Sequence, residues 1–226
     1  MILAAGKGER MRPLTDHTPK PLLPVGGKPL IFWHLEKLAS AGFARVVINH
    51  GHLGDQIEEI LGDGAAFGMA LHYSREGEPL ETAGGIATAL PFIAQDIFPV
   101  VNADIFSDYD YARFHGIMDS MKHASTLAHL VLVNNPPHHA QGDFCLHESF
   151  VHEHGSPRFT FSGIGVYAAK LFAATEPWKK APLAPLLKQA MGQDRVSGEH
   201  HAGKWTDVGT PQRLRELDHE ICNQDC

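Results

Sequence analysis

Residues 3–15 read LAAGKGERMRPLT, and PKPLLPV follows at residues 19–25. The apolar residues 1–5 at the start of the chain predict a short β-strand. Gly6 and Gly8 allow backbone N–H groups to approach an anion closely, and the small side chains of Ala4 and Ala5 leave room for a flat base. The opening of the chain therefore predicts a strand followed by a phosphate-binding loop.

Two cations accompany this loop in a chain whose formal net charge is −7. Arg12 and Lys20 lie among prolines, which hold the backbone in extended and turn conformations and present both cations at little ordering cost. The loop is neither a Walker A motif, since G-x-x-x-x-G-K-[ST] is absent, nor a dinucleotide fingerprint, since the third glycine and the helix are missing. Hydride transfer is therefore not expected. A solvated turn with ordinary surface cations is the alternative for the glycines alone.

The rest of the chain alternates short apolar runs with helical patterns, which indicates an α/β fold with crossover helices. The predicted strands cover residues 1–5, 45–49, 70–74, 97–101, 126–133 and 159–167, with an edge strand or turn at 200–208. The predicted helices cover residues 29–41, 53–61, 83–90, 109–122, 184–191 and 210–221. Residues 134–158 predict a loop or hairpin excursion. Residues 1–226 are predicted to form a single domain, since no linker interrupts them.

Composition excludes several function classes. Hydrophobic residues make up 43% of the chain and charged residues 20%, which is typical of a globular protein. The negative net charge offers no general attraction to nucleic acids or anionic membranes. Three cysteines imply no disulfide framework, and no apolar run is long enough to span a bilayer. We expect a cytoplasmic monomer or small homo-oligomer. Because Met1 falls inside the predicted first strand, the sequence leaves open whether residues precede it.

Three later segments extend the pattern of the loop: Glu-Thr-Ala-Gly-Gly at residues 81–85, Asn-Ala-Asp at 102–104 and Trp-Thr-Asp-Val-Gly-Thr at 205–210. With them, the chain resembles the sugar-1-phosphate nucleotidyltransferases over nearly its whole length. Residues 78–82, 141–144 and 161–165 look most like the N-acetylmuramate-1-phosphate uridylyltransferases within that family. The resemblance implies a Rossmann-like three-layer αβα sandwich with a mixed, mainly parallel sheet.

The resemblance also implies a reaction, in which a sugar-1-phosphate oxygen attacks the α-phosphorus of a nucleoside triphosphate and pyrophosphate leaves. The nucleophile is already anionic, so the protein needs no general base and must instead align and neutralise two polyanions. Arg12, Lys20 and Asp104 are then the catalytic residues, and Asp104 and Asp207 are ligands of Mg2+. A helix cap for Asp104 and an Asx-turn for Asp207 are the alternatives when each is considered alone.

Substrate contacts are implied in the same way. The expected nucleotide-binding residues are Leu3, Ala4, Ala5, Gly6, Gly8, Glu9, Arg10, Lys20, Glu76, Glu81, Thr82 and Gly84. The expected sugar-phosphate-binding residues are Asn102, Gly142, Asp143, Ser162 and Gly163.

Two features depart from the family pattern. Many hexose-1-phosphate relatives have a lysine that binds the sugar phosphate, but this chain has no lysine between Lys122 and Lys170. Arg158, His152 and His154 are alternatives for that role, as is the metal alone. The second departure is Ala103, which stands where glycine is usual.

The expected function is transfer of a uridylyl group from UTP to N-acetylmuramic acid 1-phosphate in cell-wall sugar recycling. One alternative is a nucleotidyltransferase that acts on glucose or mannose 1-phosphate with dTTP, UTP or GTP. A second alternative is a catalytically silent module that binds nucleotide sugars, since a fold alone does not determine function. The sixteen histidines are read as scattered loop residues and not as a zinc site.

Overall fold

A computed structural model describes residues 1–223 of the chain. Its strands are β1 (Ile2–Leu3), β2 (Pro24–Val25), β3 (Lys28–Pro29), β4 (Arg45–His50), β5 (Ala70–Arg75), β6 (Ile97–Asn102), β7 (Ile105–Ser107), β8 (Ala128–Val133), β9 (Phe144–His147), β10 (Phe150–His152), β11 (Arg158–Ala168), β12 (Val196–His201) and β13 (Trp205–Asp207). Its α-helices are α1 (Leu30–Ser40), α2 (Gly54–Leu61), α3 (Glu81–Ile93), α4 (Arg113–His123), α5 (Leu183–Met191) and α6 (Pro211–Cys222).

The chain divides into two compact units. The first unit comprises residues 1–79, 102–111 and those from 204 onward, and the second comprises residues 80–101 and 112–203. Neither unit is a continuous stretch of sequence. The prediction of a single domain over residues 1–226 stays a prediction.

The first unit is built on parallel strands. β4 pairs with β1 on one side and with β5 on the other, both in parallel. α1 and α2 form the connections between these strands, as the alternating pattern predicts. Val46, Val47 and Ile48 of β4 are all buried, which is typical of a parallel strand covered on both faces. Because parallel strands share one carboxyl edge, residues that follow β1, β4 and β5 lie at the same edge.

An apolar cluster in the first unit fixes the phosphate loop and the last helix. Met11 of the loop is 1% exposed and lies in this cluster. Leu214, Leu217 and Ile221, on one face of α6, pack into the same cluster. α6 is therefore attached to the base of the loop through side chains three or four residues apart, the spacing of one helix face.

The second unit has a mixed sheet with the strand order β6-β11-β8-β12-β10-β9. β11 runs antiparallel to both β6 and β8, whereas β12 runs parallel to β8. The predicted mixed sheet is thus confirmed. The second unit contains the parallel pairing β12–β8, whereas β11 pairs antiparallel with β6, β8 and β9, and β10 pairs antiparallel with β9 and β12. β11 contains a bulge between Phe161 and Ile164.

The structure refines three of the predicted elements. The excursion at residues 134–158 contains a hairpin, in which β9 and β10 pair antiparallel. The helix predicted at 109–122 begins only at Arg113, and the segment 200–208 contains the end of β12 and a separate strand, β13. Cys226 lies outside the described residues. Among the described residues, the helices are all too short or too polar to cross a lipid bilayer.

Candidate active site

The phosphate loop starts where β1 ends and is held by its own neighbours. Gly8 has φ +65°, and a Cβ there would lie 2.9 Å from Cγ2 of Thr15. The Thr15 hydroxyl donates a 2.8 Å hydrogen bond to the Gly8 carbonyl, so glycine is required both by the backbone and by this contact. Gly6 differs, because a Cβ there would meet nothing within 4 Å. The backbone at Gly6 is therefore open to the approach of another molecule.

Lys20 and Asp104 form an ion pair at the edge where the strands end. Lys20 Nζ lies 2.5 Å from Asp104 Oδ2, although the residues are 84 positions apart. Lys20 is buried, with 8% exposure, while the Asp104 side chain is 41% exposed. Burying an ammonium group is costly without a counter-charge, which Asp104 supplies. The buried Ala103 donates its N–H to the Leu3 carbonyl at 2.9 Å, so the backbone beside Asp104 is tied to the end of β1.

The two predicted metal ligands lie on adjacent stretches of backbone. β13 pairs antiparallel with β7, which sets Asp207 opposite Ile105. Val208 N donates to the Asp104 carbonyl at 2.8 Å. The Asp207 carboxylate is paired with Arg213, whose Nη2 lies 3.0 Å from Asp207 Oδ2. The first unit thus brings Lys20, Asp104 and Asp207 together, although more than 180 residues separate the first from the last.

Asp104 and Asp207 supply carboxylate oxygens, the hard ligands that a divalent cation such as Mg2+ prefers. In residues 1–223, no cluster of three or more His, Cys, Asp or Glu side chains is arranged to hold a metal ion. Mg2+ does not need such a cluster, since it binds through one or two carboxylates together with water and substrate phosphates. Each carboxylate has a cationic partner within the protein. Asp104 and Asp207 therefore suit a cation that arrives with a nucleotide better than a permanent structural metal.

The other cations of the loop, Arg12 and Arg10, lie at the surface. Arg12 Nε lies 3.3 Å from Asp16 Oδ1, and the Arg12 side chain is 65% exposed. An exposed ion pair of this kind contributes little stability, so Arg12 can exchange Asp16 for a phosphate at small cost. Glu9 and Arg10 are also exposed. The structure thus places Arg12 at the surface of the loop and Lys20 in its interior.

Asn49, at the end of β4, is a residue that the sequence analysis missed. Its Oδ1 accepts a hydrogen bond from Ala4 N at 3.0 Å, and its Nδ2 donates to Glu76 Oε1 at 2.6 Å. Glu76 is 4% exposed, and its own N–H donates to the His50 carbonyl at 2.7 Å. Asn49 thereby joins the ends of three strands beside the loop. The available signal was a polar residue that ends an otherwise apolar, buried strand.

Helix α1 braces the segment that follows Asp104. Lys37 Nζ donates to the Ser107 carbonyl, and His34 Nδ1 lies 2.8 Å from the Tyr111 hydroxyl. Burial lowers the pKa of His34 to about 4 and also lowers the pKa of Lys37. Burial raises the pKa of Tyr111 well above its usual range. These contacts hold residues 107–111, and through them the position of Asp104.

In the second unit, the first turn of α3 already has a protein partner. Ala83 N and Gly84 N donate to the Ala181 carbonyl at 3.0 and 3.1 Å. A Cβ on Gly84 would lie 2.2 Å from the Lys179 carbonyl, so this glycine permits close packing of the chain. The role of Gly84 in nucleotide binding stays a prediction. The exposed Glu81, with φ +59°, and the half-buried Thr82 stay as predicted nucleotide contacts.

The predicted sugar-binding residues of the second unit lie close to one another. Asp143 Oδ2 accepts a hydrogen bond from Phe161 N at 2.8 Å, next to the bulge that contains Ser162 and Gly163. The buried Ser162 hydroxyl donates to the Val131 carbonyl at 2.6 Å. Gly142 precedes Asp143 and has φ +61°. Their role in binding sugar stays a prediction, as does that of Asn102, which ends β6.

Arg158 is not placed as a phosphate ligand. Its guanidinium donates to the backbone carbonyls of Gln141, Gly142, Asp143 and Glu153 at 2.6 to 3.4 Å. All three of its nitrogens are used in these bonds, so Arg158 clamps the hairpin excursion to the start of β11. His152, another alternative for the missing lysine, lies 4.0 Å from Asp194.

The site combines a glycine-containing loop after the first strand with a buried lysine that is paired with an aspartate, and with a second aspartate at a strand end. These features are typical of a nucleotidyltransferase. The chain belongs to the nucleotidyl transferase family, whose sequence profile matches residues 1–144. It is 54% identical to the N-acetylmuramate alpha-1-phosphate uridylyltransferase of Neisseria meningitidis serogroup B, over 96% of this chain and 95% of that protein. It is 31% identical to the mannose-1-phosphate guanylyltransferase of Mycobacterium tuberculosis, over 94% of this chain and 61% of that protein.

Solved structures share the fold. A Bacillus anthracis protein assigned as a glucose-1-phosphate thymidylyltransferase superposes with a TM-score of 0.83 at 22% identity, covering 98% of this chain and 94% of that one. HddC from Yersinia pseudotuberculosis, complexed with GMP-PN, gives a TM-score of 0.76 at 21% identity, with coverage of 100% and 98%. These likenesses confirm the predicted Rossmann-like α/β fold.

Proposed function

We propose that the protein transfers a uridylyl group from UTP to N-acetylmuramic acid 1-phosphate, giving UDP-N-acetylmuramic acid and pyrophosphate. The observation that carries the proposal is the Lys20–Asp104 pair beside Asp207, at the strand edge next to the phosphate loop. The 54% identity to the Neisseria uridylyltransferase, over nearly the full length of both chains, supports this sugar and this base.

The proposed chemistry needs cations more than it needs a base. A sugar phosphate oxygen is already a nucleophile, and the barrier comes from alignment of two polyanions and from charge that grows on the leaving pyrophosphate. Lys20 would stabilise that charge, and Arg12 would hold the outer phosphates. Gly6 and Gly8 would let backbone N–H groups approach the nucleotide.

Mg2+ is the proposed metal, with Asp104 and Asp207 as its protein ligands. When bound, such an ion neutralises phosphate oxygens and withdraws electron density from the reacting phosphorus. In the protein alone, Lys20 neutralises Asp104. We expect Lys20 to leave Asp104 and to pair with the triphosphate when metal and nucleotide bind. The ammonium is then paired with phosphate, and the Asp104 carboxylate is paired with the metal.

The remaining assignments are proposals of the same kind. Glu76, Glu81 and Thr82 would contact the base, and Asn102, Asp143 and Gly163 would contact the sugar. A role in cell-wall sugar recycling follows from the proposed substrate. We place the protein in the cytoplasm, where nucleoside triphosphates are held, as a monomer or small homo-oligomer.

The test is a substrate panel with Mg2+-dependent release of pyrophosphate as the readout. UTP, dTTP, GTP, ATP and CTP would each be offered with the 1-phosphates of N-acetylmuramate, N-acetylglucosamine, glucose and mannose. We expect the highest kcat/KM for UTP with N-acetylmuramic acid 1-phosphate. Preference for another pair would contradict the proposed substrate, and would support the hexose-1-phosphate alternative that the mycobacterial guanylyltransferase represents.

The same panel tests the silent-module alternative. No pyrophosphate release with any pair, together with tight binding of a nucleotide sugar by calorimetry, would overturn the proposed activity. The paired Lys20 and Asp104 argue against that outcome, because a module that only binds has no need for a buried lysine paired with a half-exposed carboxylate beside the phosphate loop.

A further inference from the structure

Arg213 lies in the first turn of α6, directly after the turn that follows Asp207. Thr210 caps this helix, since its hydroxyl accepts a hydrogen bond from Arg213 N at 3.3 Å. Leu214 and Leu217, on the inner face of α6, anchor the helix in the apolar cluster of the first unit. Arg213 therefore projects from a fixed helix terminus, and its backbone has little freedom to move.

The Arg213 guanidinium is held on one oxygen of Asp207. Nη2 lies 3.0 Å from Asp207 Oδ2, and only 15% of the Arg213 side chain is exposed. Within residues 1–223, its Nε is buried and lacks a hydrogen-bond partner. A buried donor without a partner is costly, and an apolar side chain at this position would avoid that cost. The arginine thus stands in an arrangement that is locally unfavourable, and such arrangements are typical of functional sites.

Gly209 shows that the local backbone is adapted to this ion pair. A Cβ at position 209 would lie 2.1 Å from Arg213 Nη2 and 2.9 Å from Asp207 Oδ2. Gly209 is not among the glycines with positive φ, so its backbone conformation does not require glycine. The requirement comes from the space that the ion pair occupies. Residues 207, 209 and 213 thus form one arrangement.

The two carboxylates of the proposed metal site therefore differ in their cationic partners. Lys20 is a single ammonium on Asp104, whose side chain is 41% exposed, so a phosphate that reaches this carboxylate can also pair with the ammonium. The planar guanidinium of Arg213 fills the space beside Gly209, and α6 holds its backbone. The side chain of its partner Asp207 is 25% exposed. The first pair suits exchange, whereas the second suits a fixed geometry.

We infer that Arg213 is a positioning residue for metal binding: it fixes the orientation of the Asp207 carboxylate so that this group meets the cation in one geometry. The inference rests on the proposed function, because that function assigns Asp207 to the metal. A hydrogen bond from outside the ligand set orients a carboxylate ligand, and loss of such a partner typically lowers metal affinity about 10- to 100-fold.

The test measures binding of Mn2+ in the presence of UTP and without a sugar phosphate, because such a cation binds together with substrate phosphates. The readout is the enhancement of the water-proton relaxation rate, with Mn2+ and UTP in the absence of protein as the blank. We expect Arg213→Gln to weaken Mn2+ binding about 10-fold. The matched control is Arg215→Gln, which removes an exposed arginine from the same helix and should leave the affinity unchanged. Gly209→Ala should reproduce the loss, because it displaces the guanidinium without removing it. Thermal unfolding of each variant would verify that the fold persists.

A double-mutant cycle separates orientation of Asp207 from a general effect on the structure. In an Asp207→Asn background, Arg213→Gln should cause no further loss of Mn2+ affinity, since there is no carboxylate left to orient. Wild-type or tighter Mn2+ binding in Arg213→Gln would overturn the inference, because loss of the positive charge alone favours a bound cation. An equal loss of affinity in the Asp207→Asn background would also overturn it. If Asp104→Asn and Asp207→Asn both bind Mn2+ like the wild type, the proposed metal site itself is wrong, which distinguishes the two failures.

Discussion

Asp104 is the residue on which most of the proposed chemistry depends, and it has one proposed role and one that the structure shows. It is a proposed ligand of Mg2+, and it is also the counter-charge of the buried Lys20. Removal of the carboxylate would therefore affect both catalysis and stability. In this respect Asp104 differs from a carboxylate that only binds metal.

We predict that Asp104→Asn lowers kcat/KM at least about 100-fold, since the metal loses a ligand and the phosphates lose charge compensation. The same substitution should lower the melting temperature, because Lys20 would stay buried without a counter-charge. Pyrophosphate release at saturating Mg2+ and a thermal melt measure the two effects. Asp119→Asn, at an exposed pair with Lys122, is the control for surface charge. Normal turnover at saturating Mg2+ would contradict the assignment.

The sequence predicted Lys20, Asp104 and Asp207, because each lies in a short motif of recognisable composition. Asn49, Lys37 and Arg213 were not predicted. Each acts through a contact with a residue distant in sequence, such as Glu76 for Asn49 or Ser107 for Lys37, and nothing in the neighbouring residues marks that contact. Gly209 was visible in its motif, but its reason, the space taken by Arg213, appears only in three dimensions.

At the scale of the element, α3 contains a glycine, Gly84, that permits close packing. Gly84 approaches the backbone of residues 179–181 so closely that a methyl group has no room. We predict that Gly84→Ala destabilises the protein by about 1 to 3 kcal/mol through overpacking, measured by urea unfolding.

Gly116 provides the matched control for Gly84. It lies in the middle of α4, and a Cβ there would meet nothing within 4 Å. Gly116→Ala should therefore stabilise the protein by about 0.5 to 1 kcal/mol through helix propensity alone. Equal effects at the two positions would contradict the packing role of Gly84.

Arg158 provides a second prediction at this scale, since it connects the hairpin excursion to β11. Arg158→Lys keeps the charge but cannot reach several carbonyls at once, because an ammonium lacks the planar fork of a guanidinium. We expect faster proteolytic cleavage within residues 141–158, with catalysis reduced far less than in Lys20→Ala. A larger catalytic loss in Arg158→Lys than in Lys20→Ala would mean that the phosphate sites are misplaced.

Element prediction from the sequence succeeded where periodicity was long enough to detect. β4, α1, α2 and α6 follow the predicted segments closely. β2, β3 and β7 contain two or three residues each, which is too short for a period-2 pattern. The sequence predicts the start of α4 too early, because Tyr111 is buried before the helix begins and lies three residues from the buried Phe114, which is a helical spacing.

At the scale of the whole molecule, chain order and spatial grouping differ. Residues 102–111 and the segment from 204 onward join residues 1–79 in the first unit, and the residues between them form the second. The local sequence pattern cannot show that the segments of the two units alternate along the chain, because this arrangement depends on which distant segments pack together. The one connection that the sequence did reveal, between Asp104 and Asp207, came from motifs in a family resemblance.

His34 connects this packing to the pH dependence of stability. It is 2% exposed, and its Nδ1 faces the Tyr111 hydroxyl, with Lys37 and Asp104 as the charged groups that act on it. Burial lowers the pKa of His34 from 6.5 to about 4, so the folded protein keeps this imidazole neutral in a range where the unfolded chain protonates it. The unfolded state then binds more protons, and stability must fall as pH falls through that range.

We predict that the free energy of unfolding decreases as pH is lowered from 6.5 to 4, with His34 contributing on the order of 3 kcal/mol at about 1.4 kcal/mol per pKa unit. Urea unfolding at pH 7.0, 5.5 and 4.5 would compare the wild type with His34→Gln, which can still hydrogen-bond Tyr111. The variant should lose less stability between pH 7.0 and 4.5 than the wild type. His72→Gln, at an exposed position of β5, should follow the wild type. Parallel pH curves for the wild type and His34→Gln would show that His34 is protonated in the folded state, contrary to its burial beside Tyr111.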